Sequence, residues 1–210
     1  MNDILVIVAT ELEAQKLPKL PGMRLRVSGI GAVNAALETQ LGILEQCPDL
    51  VLSVGIGGAY PNGGAKIGDV VVSSEMIYAA LGAMDGTTFL NLKELGFELV
   101  GNIFNTIPAA LQAQVFAQIT KAQLGAILTL ETVTGSDARA LELERLFPNA
   151  IGEGMEGAGV AHAALKHGIP SFEIRGISNF VGARDRSSWR IGAALGALHQ
   201  SLEIGWKAFE

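Results

Sequence analysis

The strongest constraint on the fold is Ile4-Leu5-Val6-Ile7-Val8-Ala9, a continuous apolar run rich in β-branched residues. Such a run lacks the alternation of a half-exposed strand, so it predicts a strand covered on both faces. Leu50 to Val54 repeats the pattern. Gly125 to Leu130 gives a further strand, and Asp137 to Phe147 after it has helical spacing. Met23 to Val27, the segment after the Lys66-Ile67-Gly68-Asp69 turn, Asn149 to Met155 and Pro170 to Ser178 supply the other strands. Helices are predicted at Ala14 to Leu20, Ala109 to Ala122, Gly157 to Lys166 and about Arg190 to Phe209. With 210 residues, strands alternating with helices predict one α/β domain.

Ligands of open α/β sheets sit outside the carboxyl ends of strands, and several strands here end in chemically distinctive turns. Glu156 stands between the strand ending at Met155 and the helix beginning at Gly157, flanked by glycines that let a ligand approach the backbone. Its simpler role is to complement the positive helix N-terminus. Thr10 and Glu13 have the spacing of a capping box, yet they too follow a central strand. Gly55-Ile56-Gly57-Gly58 suits a backbone-lined cradle for a flat or anionic ligand. By contrast, Gly29-Ile30-Gly31 lacks the third glycine and downstream acid of a dinucleotide site. Glu75 to Val100 has poor periodicity and is expected to be a long loop that carries specificity.

Composition narrows the chemistry. Hydrophobic residues make up 49% and charged residues 17%, which predicts much buried surface and a homo-oligomer, a dimer or higher. A formal charge of -6 with scattered Lys and Arg argues against a nucleic acid polymer. Cys47 is the lone cysteine, so no disulfide framework or thiolate metal cluster is expected. The Met1-Asn2-Asp3 start lacks a basic leader and no apolar run reaches membrane-spanning length, which predicts a cytoplasmic protein without a membrane partner. His162, His167 and His199 fall within helical patterns, and no His or Cys group has metal spacing. No metal or cofactor is expected. What remains is carboxylate chemistry in a dry, glycine-lined site, suited to cleaving a glycosidic bond through an oxocarbenium-like state.

The chain resembles the nucleoside phosphorylase and hydrolase superfamily, which includes purine nucleoside phosphorylases and methylthioadenosine/adenosylhomocysteine nucleosidases. The resemblance rests on Ala9-Thr10-Glu11-Leu12-Glu13, Val54-Gly55-Ile56-Gly57-Gly58, Lys66 to Ser73, Gly154-Met155-Glu156-Gly157-Ala158 and Arg175-Gly176-Ile177-Ser178-Asn179. It implies a three-layer α/β/α domain over residues 1 to 210 with a central mixed, twisted sheet, and a small nucleoside as substrate. Within the superfamily, Tyr78 to Gly86 with Phe89-Leu90, and Asn179 to Trp189, resemble the futalosine-hydrolysing subfamily, which releases hypoxanthine in a route to menaquinone.

By motif, the resemblance implies that Glu13 is the general base for water and Glu156 holds the ribose hydroxyls. It places Met155 beside the sugar and Ile56, Gly57 and Gly58 along the substrate. Asn179 stands where the adenine-cleaving nucleosidases have aspartate, and Ile56 where they have serine. An amide can donate to O6 of a 6-oxopurine and accept a proton at N7, which favours hypoxanthine over adenine. Ser53 stands where phosphorylases carry a phosphate-binding arginine, a fork that a hydroxyl does not replace. Water is therefore the expected nucleophile, with a phosphorolytic enzyme, an adenine-type nucleosidase and a non-catalytic nucleoside-binding protein as the competing readings. Arg184, Arg186 and Arg139 are the candidates, on charge, for an acidic group on the substrate.

Overall fold

The computed structural model describes residues 3–209, so the Met1-Asn2 part of the start read above lies outside the described residues. In chain order the elements are β1 (Ile4–Val8), α1 (Glu11–Lys16), β2 (Met23–Val27), α2 (Ala32–Glu45), β3 (Leu50–Ala59), β4 (Val70–Tyr78), β5 (Gly82–Asp85) and β6 (Thr88–Asn91). They continue with α3 (Leu92–Leu95), β7 (Thr106–Pro108), α4 (Gln112–Thr120), β8 (Gln123–Thr129), α5 (Asp137–Leu146), β9 (Ala150–Gly154), α6 (Gly157–Lys166), β10 (Ser171–Phe180) and α7 (Ile191–Gly205). A 3-10 turn, Trp206–Phe209, ends the described chain.

The main sheet is mixed and runs β10-β4-β8-β9-β3-β1-β2, with β7 added to β4. A further pairing of β10 with β3 closes five strands, β3, β10, β4, β8 and β9, into a ring. Ala59, Val71, Ile127, Ile151 and Ile177, one from each of those strands, share a single buried cluster, which is the ring's filled interior. β1 extends the sheet beyond the ring and is buried along its whole length. Ile4, Val6 and Val8 pack towards α4 and α7, while Leu5 and Ile7 pack towards α2 and α6. The unbroken apolar run thus sits between two helical layers, which is the α/β/α arrangement expected. The α2 to α6 contact is close because Gly159 lies against the backbone of Ala32, where a Cβ would collide with a carbonyl. No helix among the described residues is long and apolar enough to cross a membrane.

Three expectations change. Glu75 to Val100 is not a long loop: β4 continues to Tyr78, β5 and β6 form a hairpin, and α3 follows. The hairpin turns at Gly86-Thr87, between the paired Asp85 and Thr88, with Gly86 at φ 60°, and glycine is favoured at the first position of such two-residue turns. The glycine cradle is not a turn after a strand but the second half of β3. Ladder partners on both sides hold it extended, Gly57 opposite Ile177 and Gly58 opposite Glu153. Finally, the helix expected from Ala109 to Ala122 is confined to Gln112–Thr120, because Pro108 ends β7 and Ala110 pairs its N–H with the Ser171 carbonyl.

Candidate active site

A cavity of about 440 Å³ opens over the second half of β3, within the size range of small-molecule sites. Glu13, Ile56, Gly57, Gly58, Met155, Glu156, Asn179, Arg184 and Arg186 all line it. These nine predicted residues are therefore gathered at one place, from α1, β3, the β9–α6 junction, β10 and the segment after it.

Glu13 forms the cap foreseen for it and also lines the cavity. Its Oε2 accepts from the Thr10 N–H at 3.0 Å and from Thr10 Oγ1 at 2.9 Å, completing the capping box. Its Oε1 accepts from the Ile56 N–H at 3.0 Å. Ile56 thus contributes a backbone donor rather than a side-chain one. Glu156 departs from the simple helix-terminus role, since it occupies the cap position of α6 without a side-chain cap bond. Its Oε1 instead accepts from the Gly31 N–H at 3.0 Å, and its Oε2 from Arg175 Nη2 at 3.2 Å. Asn179 lies inside β10, not in a loop beyond it. Its Oδ1 accepts from Ser178 Oγ at 2.7 Å and its Nδ2 donates to the Phe180 carbonyl at 2.9 Å. One amide hydrogen and one lone pair are left for a ligand.

The residue that joins these groups is Arg175, which sequence reading quoted in a motif without giving it a role. Its Nε donates to Glu173 at 2.6 Å, its Nη2 to Glu156 and to Ser53 Oγ at 3.2 Å, and its Nη1 to the Ile56 carbonyl at 3.2 Å. Burial works against the cation, but the carboxylates of Glu173, Glu156 and Glu13 outweigh it and push the guanidinium pKa up. Burial holds the Glu173 carboxyl above its ordinary range, although the Arg175 charge pulls it down. Glycines make the room: a Cβ on Gly55 would fall 2.6 Å from both Arg175 Nη1 and Glu13 Oε1. Glu153 was also missed. It is 5% exposed, lines the cavity, and accepts from Tyr60, from Thr134 Oγ1 and from the Thr134 N–H.

The histidines stand apart from the cavity, as expected from their helical positions. His162 meets Tyr78, His167 meets Gln40, and His199 meets the Lys16 carbonyl. Arg139 is removed from the list of anion candidates, for it lies off the cavity and pairs with Glu142 at 2.8 Å. Arg184 and Arg186 remain at the mouth, with the Arg184 guanidinium carbon 5.3 Å from the centre of the Trp189 ring. No group of acids, His and Cys among the described residues could hold a metal ion.

Removing the charge of Arg175 would strand two buried carboxylates, a change that typically costs about 3–5 kcal/mol. Arg175→Met is expected to lose stability on that scale in urea unfolding at neutral pH. The deficit should shrink as pH falls, since protonation removes the stranded charge and a raised folded-state pKa favours the low-pH side. A loss below about 1 kcal/mol, or one independent of pH, would show that the cluster is not held by this cation.

Residues 19–198 match the phosphorylase superfamily. The futalosine hydrolase of Streptomyces coelicolor is 44% identical over 192 residues, which cover 89% of this chain and 80% of that relative. Among solved structures, the 5'-methylthioadenosine/S-adenosylhomocysteine nucleosidase of Neisseria meningitidis, in complex with methylthio-immucillin-A, superposes with a TM-score of 0.82 at 22% identity. That match covers 99% of this chain and 100% of the other. The native structure of Helicobacter pylori futalosine hydrolase gives a TM-score of 0.79 at 19% identity, covering 98% and 97% of the two chains. With a family match over most of its length and a curated relative at this identity, the chain belongs to the phosphorylase superfamily, alongside the futalosine hydrolases.

Proposed function

We propose that this N-glycosyl hydrolase cleaves futalosine to hypoxanthine and dehypoxanthine futalosine, in the futalosine route to menaquinone. The observation that carries the reading is the placement of Glu13 and Glu156 on a wall organised by Arg175, with Asn179, Gly57 and Gly58 lining the same cavity. Glu13 takes a proton from water as the oxygen attacks the anomeric carbon. The bond from that carbon to the purine nitrogen breaks, and its electron pair leaves with the base. Glu156 holds the ribose hydroxyls, and its charge favours the positive character that develops on the sugar. The Asn179 amide receives the 6-oxopurine edge, its spare hydrogen towards O6 and its spare lone pair towards a proton at N7.

Electrostatics favour water over phosphate. Ser53 is buried and accepts from Arg175, so it offers no phosphate seat. The Arg175 cation is committed to two carboxylates. A phosphate dianion entering beside Arg175 would meet the acids Glu13 and Glu156, and like charges at short range disfavour it.

Glu13→Gln is expected to lower turnover of futalosine by about 10²–10⁴-fold while the substrate still binds, because an amide keeps the shape but takes no proton. Near-normal turnover would reduce Glu13 to its cap. Asn179→Asp should lower kcat/KM for futalosine and raise it for the 6-amino counterpart, since a carboxyl group can accept from an amino group and supply the N7 proton. An unchanged ratio would move the choice of base elsewhere.

Self-association is part of the same reading. Val33, Leu37, Leu41 and Leu44 recur on one exposed face of α2, at the spacing of an apolar helix stripe. Light scattering should therefore give the mass of a dimer or larger assembly. A monomer's mass at micromolar concentration would refute it.

A further inference from the structure

We propose that Glu153 reads the N1 position of the base, accepting the N1–H of a 6-oxopurine and opposing the N1 lone pair of an adenine. This inference rests on the purine nucleosidase reading above and extends it to a residue with no assigned role.

The backbone places the carboxylate where a base edge can meet it. Gly58 of β3 is paired with Glu153 of β9 on one side and with Asn179 of β10 on the other. Residues opposite one another across a ladder project from the same face, so both side chains rise from the face on which Gly58 has none. Their backbones stand about 10 Å apart, two strand spacings, with Gly58 between. A side chain on Gly58 would compete with both neighbours, because its Cβ would lie 2.9 Å from Val181 Cγ2 and 3.2 Å from Asn179 Nδ2. Gly58, Glu153 and Asn179 all line the cavity, so a flat ring held there can present one edge to the Asn179 amide and another to the Glu153 carboxylate.

The hydrogen bonds fix what Glu153 can do. Oε2 accepts from the Tyr60 hydroxyl at 2.8 Å and from Thr134 Oγ1 at 2.7 Å, which fills both of its lone-pair positions. Among the described residues Oε1 accepts only from the Thr134 N–H, at 2.9 Å, and keeps one position open. All three partners are donors. Tyr60 remains a donor, because burial, reinforced by the Glu153 charge, pushes its pKa up. An acceptor with one vacancy in a cavity wall selects a donor. A 6-oxopurine presents N1–H and O6 side by side, whereas adenine presents a lone pair at N1. A buried carboxylate facing that lone pair is left unsatisfied, the situation in which discrimination becomes large.

The test is kcat/KM for futalosine and for its 6-amino counterpart, in the wild-type protein and in Glu153→Gln. The glutamine can turn its NH₂ towards N1, so the substrate ratio should move towards the 6-amino compound by about 10- to 100-fold. A purely structural role would lower both substrates together, and that result overturns the proposal. A second measurement needs no variant: inhibition of the wild-type protein by hypoxanthine and by 1-methylhypoxanthine, which lacks the N1–H. The proposal expects at least about tenfold weaker inhibition by the methylated base, and equal inhibition overturns it even if Glu153→Gln fails to fold. Should the wild-type protein leave futalosine intact, the substrate reading fails while the two free bases still decide the role of Glu153.

Discussion

The arrangement depends on one buried cation. Arg175 is 2% exposed and sits among the carboxylates of Glu173, Glu156 and Glu13. Desolvating an ion costs several kcal/mol even after relaxation, a cost repaid only by close pairing and a full set of hydrogen bonds. Arg175 makes four such bonds, with two carboxylates, one hydroxyl and one carbonyl as acceptors. Its fixed charge lets acids collect around it. Glu173 illustrates the limit, for its Oε2 finds no hydrogen-bond partner among the described residues and its carboxyl is pushed towards the neutral form.

The sheet supplies the geometry that the charges need. Closing β3, β10, β4, β8 and β9 into a ring brings residues from distant parts of the chain onto adjacent strands, with Gly58 between Glu153 and Asn179. Two glycines of β3 then do different work. Gly55 gives up its side-chain space to Arg175 and Glu13, and Gly58 gives up its own to Val181 and the Asn179 amide. Glycine weakens a strand interior, and here pairing on both sides offsets that weakness. The same ladder explains why Asn179 is well positioned: it is held in a strand, with its amide tied to Ser178 and Phe180.

Much of this was legible in local sequence. The unbroken run from Ile4 marked the central strand, and Thr10 with Glu13 announced a helix start at a strand mouth. The flanking glycines singled out Glu156. Arg175 and Glu153 were not legible in the same way. Arg175 meets Ser53 and Ile56 from well over a hundred residues away, and no local pattern encodes such a pairing. Glu153 sits within a glycine-rich strand, where period-2 alternation cannot say which face is wet. The stretch after Glu75 misled because its elements are short. A four-residue hairpin strand and a one-turn helix show too few repeats to reveal a period, and tertiary contacts settle their form.

The central claim is that water, not phosphate, takes the glycosidic carbon of a 6-oxopurine nucleoside. Free hypoxanthine released from futalosine by the purified protein measures it directly, first in phosphate-free buffer and then with added inorganic phosphate. The account predicts full turnover without phosphate and no gain, nor any sugar 1-phosphate, when phosphate is supplied. Release that requires phosphate, or no release of hypoxanthine under either condition, would contradict it.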